Sequence, residues 1–427
     1  MIDIEKFSYA SVREEVYHSR LTNGLEIYII KKPLFTEKAT MLTVNFGSID
    51  SNFTVRNRPY QYPEGIAHFL EHKLFENESG QDVSHYFTAL GADVNAFTTF
   101  EKTSYFFSTS NNFTKCLTLL QEFVLTGNFT EESVAKERKI IAQEIDMYLD
   151  DPDYQSYIGI LQNLFPNSLL SSDIAGNQNS LESITATDLQ RNYKQFYHPS
   201  NMTLIIVGDV DIEETYRSIE DCQERLKQRR PAKATIDKLP YSPIVKTNSM
   251  SMEISTPKLV VGYRGKKFTN DISILRYKVG LRLLLSLLFG WTSKTYQTWY
   301  DQGKIDDSFD MEIEIQRDFS FLLITLDTNE PIAMSSNIRK KINNFTKSKD
   351  LTLKHLQLLK KEMFGDFVQS LDSIEQVMSQ FNLFLNDQDS YFEIPQIIET
   401  ITLDDILAIG NDFFEGAEAS DFTVFPK

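Results

Sequence analysis

Two histidines and a glutamate fall within one short segment, His68-Phe69-Leu70-Glu71-His72. Apolar residues around it recur with a helical period: Ile66, Phe69, Leu70 and Leu74 share one face, and His68, Glu71, His72 and Phe75 the other. Two imidazoles one turn apart on such a helix reach the same ion, and the glutamate stands beside them without having to be a ligand. Neutral imidazole is a preferred zinc ligand, and catalytic zinc keeps three protein ligands plus a water. The ion brings the water's pKa down to about 7. A neighbouring carboxylate then takes the proton and passes it to the leaving amine. HxxEH is the reverse of the commoner HExxH, and both are peptidase signatures. The chain has only six histidines, so a chance match is rare, but a helix bearing two surface histidines and a glutamate without metal has the same spacing.

A third ligand has to come from elsewhere. The segment Glu137-Arg-Lys-Ile-Ile-Ala-Gln-Glu144 places Glu137, Ile141, Glu144 and Tyr148 on one helical face, with Ile140 and Ile145 behind. By spacing alone this face either meets the histidine helix or is a solvated charged face.

The elements that must position these residues follow from pattern. Leu25-Glu-Ile-Tyr-Ile-Ile after the Asn23-Gly24 turn, and Met41 to Phe46 before Gly47, read as strands. The histidine helix is expected over 64–77 and another over 83–90. A strand pair follows at 95–99 and 104–109, then helices at 115–124, 131–149 and 186–197. Met202 to Gly208 is a continuous apolar run of the kind that makes a buried strand. The stretch from Cys222 to Pro243 is polar, basic and proline-punctuated, and reads as a linker between a domain over 1–222 and one over 244–427. The second part repeats the plan, with strands near 258–263, 311–316 and 319–327 and helices over 273–289 and 353–384. Both halves are α+β, which points to a duplicated domain.

The 427 residues suit two domains. A net charge of -17 disfavours nucleic acid and anionic membranes as partners. The two cysteines, Cys116 and Cys222, make no disulfide framework and read as buried thiols. The apolar run from Val279 to Trp291 is broken by Arg282 and too short to span a bilayer. The opening MIDIEKFSYA lacks the pattern of a secretory signal, so a cytoplasmic location is expected. Outside the motif, His85 reads as structural, His198 before Pro199 as a turn cap, and His18 and His355 as surface residues.

Taken in order, these segments resemble the pitrilysin/insulysin family of inverted-motif zinc peptidases, which includes the mitochondrial processing peptidase. Asn23-Gly-Leu-Glu-Ile looks like its opening strand, Gly65 to Glu76 like its metal helix, and Gly91 to Thr98 like its edge strand. Glu137 to Glu144 is similar to its second metal segment, and Tyr197-His-Pro-Ser-Asn-Met with Val207-Gly-Asp to the close of its first domain. The resemblance implies one zinc per chain on His68, His72 and Glu144, Glu71 as the catalytic base, and Glu137 as a carboxylate orienting the site. It further implies that Asn95, Ala96, Phe97 and Thr98 lie along a peptide substrate that pairs as an added strand. The implied fold is two homologous α/β-sandwich-like domains, each a mixed sheet with helices packed on it, forming half of a clam-shaped dimer around a closed chamber.

One departure bears on partners. Active relatives use an Arg and a Tyr from a C-terminal segment to hold the substrate backbone and oxyanion. In Trp299-Tyr-Asp-Gln-Gly-Lys-Ile-Asp306, aligned on Gly303, those positions carry Trp299 and Asp306. The expectation is a zinc endopeptidase acting on small unfolded peptides, working as the metal-bearing half of a heterodimer with a homologous subunit that supplies the Arg/Tyr pair, or as a homodimer when alone. The alternative is a non-catalytic scaffold or peptide-binding subunit of the same family.

Overall fold

The computed structural model describes residues 4–77, 79–269, 271–385 and 389–427. The first half runs through β1 (Glu5–Tyr9), β2 (Glu14–Arg20), β3 (Glu26–Lys31), β4 (Lys38–Val44), β5 (Asn52–Val55) and β6 (Arg58–Gln61). Then come α1 (Ile66–Leu74), α2 (Ser84–Ala89), β7 (Ala92–Thr98) and β8 (Thr103–Thr109). Five helices follow: α3 (Phe113–Leu125), α4 (Glu131–Leu149), α5 (Pro152–Leu164), α6 (Gln178–Ser183) and α7 (Ala186–Phe196). The half closes with β9 (Met202–Gly208), α8 (Ile212–Arg225) and β10 (Ala234–Ile236).

The second half opens with β11 (Thr247–Met252), β12 (Lys258–Arg264), α9 (Ile274–Phe289), α10 (Lys294–Asp301), β13 (Asp310–Ile315) and β14 (Ser320–Asp327). Five helices again precede the last strand: α11 (Pro331–Asn343), α12 (Leu353–Ser370), α13 (Ile374–Phe384), α14 (Ile394–Thr400) and α15 (Leu403–Phe414), then β15 (Glu418–Pro426).

The first large sheet has the order β1-β2-β3-β9-β4-β8-β7, and the second β11-β15-β12-β14-β13. Without β1 and β2 the two orders match strand for strand, down to one parallel pair each, β3 with β9 and β11 with β15. The intervening helices match in number as well. The expected duplication is therefore present in the topology. The central strands read as they pack: β9 is flanked on both sides and nearly all of its residues are buried.

The chain divides into two compact units, one of residues up to Asp146, Asp173–Asp237 and Ser370–Leu383, the other of Met147–Ser172, Lys238–Gln369 and Phe384 onward. The boundary expected from the linker, 1–222 and 244–427 with 223–243 between, is thus crossed twice. The α5 segment belongs with the second sheet, where Gly159 and Gly262 allow close packing: a Cβ on Gly159 would fall 2.4 Å from the Phe422 ring. The α13 segment belongs with the first sheet, where Asn382 bonds Thr43 and Ser104. The expected single helix over 353–384 is two helices because Ser373 caps a new one, its side chain accepting from the Gln376 amide. The linker span also carries structure, since α8 extends to Arg225 and β10 pairs with β5. Within the second unit, α9 buries the Leu281–Leu288 run. No described helix is long and apolar enough to cross a membrane.

Helix α1 starts where two glycines cross. Gly65 has φ 86° and a Cβ there would lie 2.4 Å from the Ala175 carbonyl oxygen; Gly176 has φ 80° and its Cβ would lie 2.7 Å from the Glu64 oxygen. The crossing sets where the histidine helix begins. Replacing Gly65 by Ala is expected to destabilise the first unit by about 1–3 kcal/mol in chemical denaturation. Gly91→Ala, which shares a positive φ of 77° but meets nothing within 4 Å, is the milder control. An equal effect of the two would remove the crossing as the cause.

Candidate metal and catalytic site

The α1 helix is shorter than its pattern suggested. It ends at Leu74, and Phe75 closes it with its amide on the His72 and Lys73 carbonyls. Its apolar residues Ile66, Phe69, Leu70 and Leu74 enter the core of the first unit. The opposite face is not solvated: His68 and Glu71 are each only 8% exposed. Polar groups buried to that degree need partners, and α4 and β7 supply them.

From α4, Glu144 places one carboxylate oxygen 3.7 Å from His68 Nε2 and the other 3.3 Å from His72 Nε2. These three side chains can each offer a ligand atom within 4.8 Å of the others. Two ligands on a tetrahedral ion with bonds of 2.0–2.1 Å stand about 3.4 Å apart, so this spacing matches an edge of zinc coordination. Glu137 lies on the far side of the same imidazole, its oxygen 3.1 Å from His72 Nδ1. An Nδ1–H donated to Glu137 leaves Nε2 as the free lone pair, the tautomer that a metal-binding histidine needs. Two imidazoles and one carboxylate, with a second carboxylate behind, form a donor set suited to zinc. His68 Nδ1 is buried and has no hydrogen-bond partner among the described residues.

The electrostatics of the protein alone fit a cation at this point. Burial and the neighbouring His72 lower the His68 pKa to about 4, so that ring is neutral. Burial also acts to lower His72, but the hydrogen bonds to Glu137 and Glu144 outweigh it and push that ring up to about 10. In the protein alone, a proton between two carboxylates holds the positive charge that an ion would bring. Glu71 is raised by burial, against the pull of a short 2.5 Å hydrogen bond donated by Thr98 Oγ1.

Strand β7 pairs only with β8 and is an edge of the first sheet among the described residues. Along it Val94 and Ala96 pack on the core, so the alternation turns Asn95 and Phe97 the other way. Thr98, at its end, ties the edge strand to Glu71. The structure therefore gathers His68, His72, Glu144, Glu137 and Glu71 in one place, with the Thr98 end of the 95–98 segment joined to them.

Pattern reading missed several groups here. Ile140, expected behind the α4 carboxylates, is instead 47% exposed on their side; Val134, Ile141 and Ile145 face the core. Tyr105 and Tyr197 share a hydroxyl–hydroxyl bond of 2.9 Å in full burial, close enough to Glu71 for its charge to be among the influences on both phenols. Lys73 is buried and paired with Glu76 at 2.8 Å. Three of the other four histidines have local partners. His198 accepts the Ser200 amide as a cap, and His355 bonds Thr292 and the Asp350 carbonyl. His18 is half-buried and bonded to Glu26, not the free surface residue expected. His85 is exposed on α2. Both cysteines are buried and free.

In the second unit, the positions aligned with the Arg/Tyr pair are engaged locally. Trp299 sits 5.9 Å, ring to ring, from Phe289, and Asp306 accepts from the Ser308 amide and hydroxyl.

Comparison with known proteins settles the family. The sequence family described as "Insulinase (Peptidase family M16)" matches residues 36–176, and that described as "Peptidase M16 inactive domain" matches residues 183–365. An uncharacterized zinc protease of Bacillus subtilis, YmfH, is 35% identical over 99% of this chain and 100% of its own length. The chain belongs to peptidase family M16. Among solved structures, an M16-like peptidase from Alicyclobacillus acidocaldarius superposes with a TM-score of 0.91 at 29% identity, covering 97% of this chain and 99% of its own. A protease from Helicobacter pylori, at 21% identity and TM-score 0.80, shares the fold over the full length of both chains. The two-domain α+β architecture is thus that of M16 peptidases.

Two outcomes are expected for the metal. The purified wild-type chain carries about one zinc by plasma mass spectrometry; Glu144→Gln loses most of it, and Glu137→Gln binds about 10–100-fold more weakly. Zinc retained by Glu144→Gln would remove that residue from the ligand set. Because a raised His72 must give up its proton to coordinate, zinc uptake near neutral pH is expected to release about one proton from this ring, and affinity to rise with pH by about tenfold per unit below the raised pKa. Calorimetry in buffers of different ionisation enthalpy reads this directly, and pH-independent affinity would contradict it.

Proposed function

We propose that this chain is the zinc-bearing subunit of an endopeptidase that cuts small unfolded peptides. The observation that carries this reading is the HxxEH helix meeting Glu144, with Glu71 beside the three candidate ligands and bonded to the edge strand by Thr98. His68, His72 and Glu144 would hold one zinc, and the ion would supply an activated water at neutral pH. Glu71 is the proton carrier. Burial raises its affinity for a proton, which suits a base that must take a proton and return it to a leaving amine. Thr98 limits that rise and fixes the carboxylate's orientation. Glu137 sets the His72 tautomer.

Substrate is held by the free edge of β7. Its unpaired backbone groups accept an extended peptide as an added strand, so specificity rests on main-chain bonding more than on a deep side-chain pocket. Asn95 and Phe97 meet the alternate side chains, and the exposed Ile140 gives an apolar surface on the carboxylate side of α4.

The aligned Arg/Tyr positions carry Trp299 and Asp306, which supports a division of labour: a homologous subunit completes the site across a clam-shaped dimer enclosing a chamber. The scaffold reading of the same family gains from this departure but leaves the complete His68/His72/Glu144/Glu71 arrangement without a use.

Cleavage of an internally quenched unstructured peptide tests the reading. The chain mixed with a homologous subunit bearing the Arg/Tyr pair is expected to cleave; the chain alone is expected to be much slower. Glu71→Gln in the mixture keeps its zinc and loses about 100-fold or more in kcat. Undiminished cleavage by Glu71→Gln would refute the assigned base, and full activity of the chain alone would refute the need for a partner.

A further inference from the structure

The basic stretch after α8 has no part in the peptidase reading, yet it is pinned in place. Gln228 Nε2 donates to the Leu125 carbonyl at 2.7 Å, and Gln195 Nε2 donates to the Ala232 carbonyl at 2.8 Å. Between these two ties, residues 228–232 form one wall of a cavity of about 650 Å³. Four cations line it: Arg229 and Arg230 from this stretch, Lys194 from α7, and Arg56 from the turn joining β5 to β6. None of the four makes an ion pair among the described residues, and no carboxylate lines the cavity. In a chain of net charge -17, four unpaired cations around one cavity are out of keeping with the rest of the surface. A second cavity of the same unit shows the ordinary balance, with Glu76 and Glu122 in its wall and no cation.

The four cations come from three kinds of support. Arg56 and Asn57 have φ of 49° and 64° and form a two-residue hairpin turn, since Val55 pairs with Arg58. That turn type favours Asn or Gly at both positions, so an arginine at the first is held against local preference. Lys194 stands in the last turn of α7. The lining also has an apolar part, from Leu125, Pro231 and the ring of Tyr193. Tyr193 is itself immobilised: its hydroxyl donates to the Val124 carbonyl and accepts the Gly127 amide.

We propose that this cavity binds a small phosphorylated organic molecule, with the multiply charged phosphate held among Arg56, Lys194, Arg229 and Arg230 and the organic part against the Leu125–Pro231 wall. The volume lies in the range of small-molecule sites, and arginine forks suit phosphate oxygens. A free polyphosphate shares the first half of this chemistry, and the ligand series separates the two sources.

The test is calorimetric titration of the full chain with ADP, pyrophosphate and adenosine at low and high salt. It is run on wild type and repeated in the Glu144→Gln background, so that chelation of zinc by the probes is not read as binding. The expected result is saturable ADP binding with Kd below about 1 mM, weaker at high salt, with adenosine not binding. Arg229→Ala with Arg230→Ala weakens it by about tenfold or more, as does Lys194→Ala to a lesser degree, while zinc content and the unfolding midpoint of the ligand-free protein stay unchanged. ADP tighter than pyrophosphate assigns a nucleotide-like ligand; equal affinity assigns the polyphosphate. No saturable binding of either phosphate, or binding that survives the double replacement, overturns the proposal. So does binding of an acidic peptide when both phosphates fail, since that would make the cavity part of a protein interface.

Discussion

Charge buried without compensation is the constraint on which the rest of this structure turns. Helix α1 has nine residues, and nearly all of them are buried. Its inner face is apolar, and its outer face carries two imidazoles and a carboxylate that cannot be left alone in a protein interior. The protein meets this by bringing a second helix, α4, across the site so that Glu144 and Glu137 flank His72 on both of its nitrogens. The arrangement favours positive charge, a single one when His72 carries a proton and two when a divalent ion takes its place. The two histidines then differ sharply despite lying one turn apart: the more buried ring is held neutral, and the ring between two carboxylates is held protonated.

The edge strand is the second requirement. A free edge is an aggregation hazard that proteins usually cover or blunt, and here it ends beside the buried carboxylate of Glu71. Thr98 joins the two by donating its hydroxyl to Glu71, so the edge strand and that carboxylate are held together. Because β7 and β8 form a hairpin whose other strand is buried and paired to β4, the edge cannot shift without disturbing the core.

Duplication explains the rest of the architecture. Each unit has the same five-strand order and the same count of helices between corresponding strands. Only the first carries histidines on the helix that follows its second core strand. The corresponding α9 of the second unit has no histidine and buries six leucines between Leu281 and Leu288 instead. The copies therefore share a scaffold while only one carries the histidine pair, as expected when strand order is set by the hydrophobic core and the site by a few side chains.

Local pattern was enough to read much of this. The HxxEH segment, the exact extent of α4, the buried β9 and the two-part α+β plan all depend on periodicity and on residues near each other in the chain. The resemblance to M16 peptidases also rested on contiguous segments. What depends on contacts between distant segments was not legible. Spacing could not say whether the Glu137/Glu144 face meets histidines or water, because that is set by how α4 crosses α1. It put Ile140 on the wrong side for the same reason. Thr98 reaching Glu71, and the Tyr105–Tyr197 pair, join positions 27 and 92 residues apart. The placement of α5 and α13 with the opposite sheets was hidden too, since an amphipathic helix has the same sequence whichever sheet it covers. The sequence by itself determined that His68, Glu71 and His72 share one helical face and which segments are helix or strand, since both are short-range properties. Tertiary structure alone decided which carboxylates face which imidazole, which strand is the free edge, and where the unpaired arginines converge, since each depends on long-range packing that a local pattern does not encode.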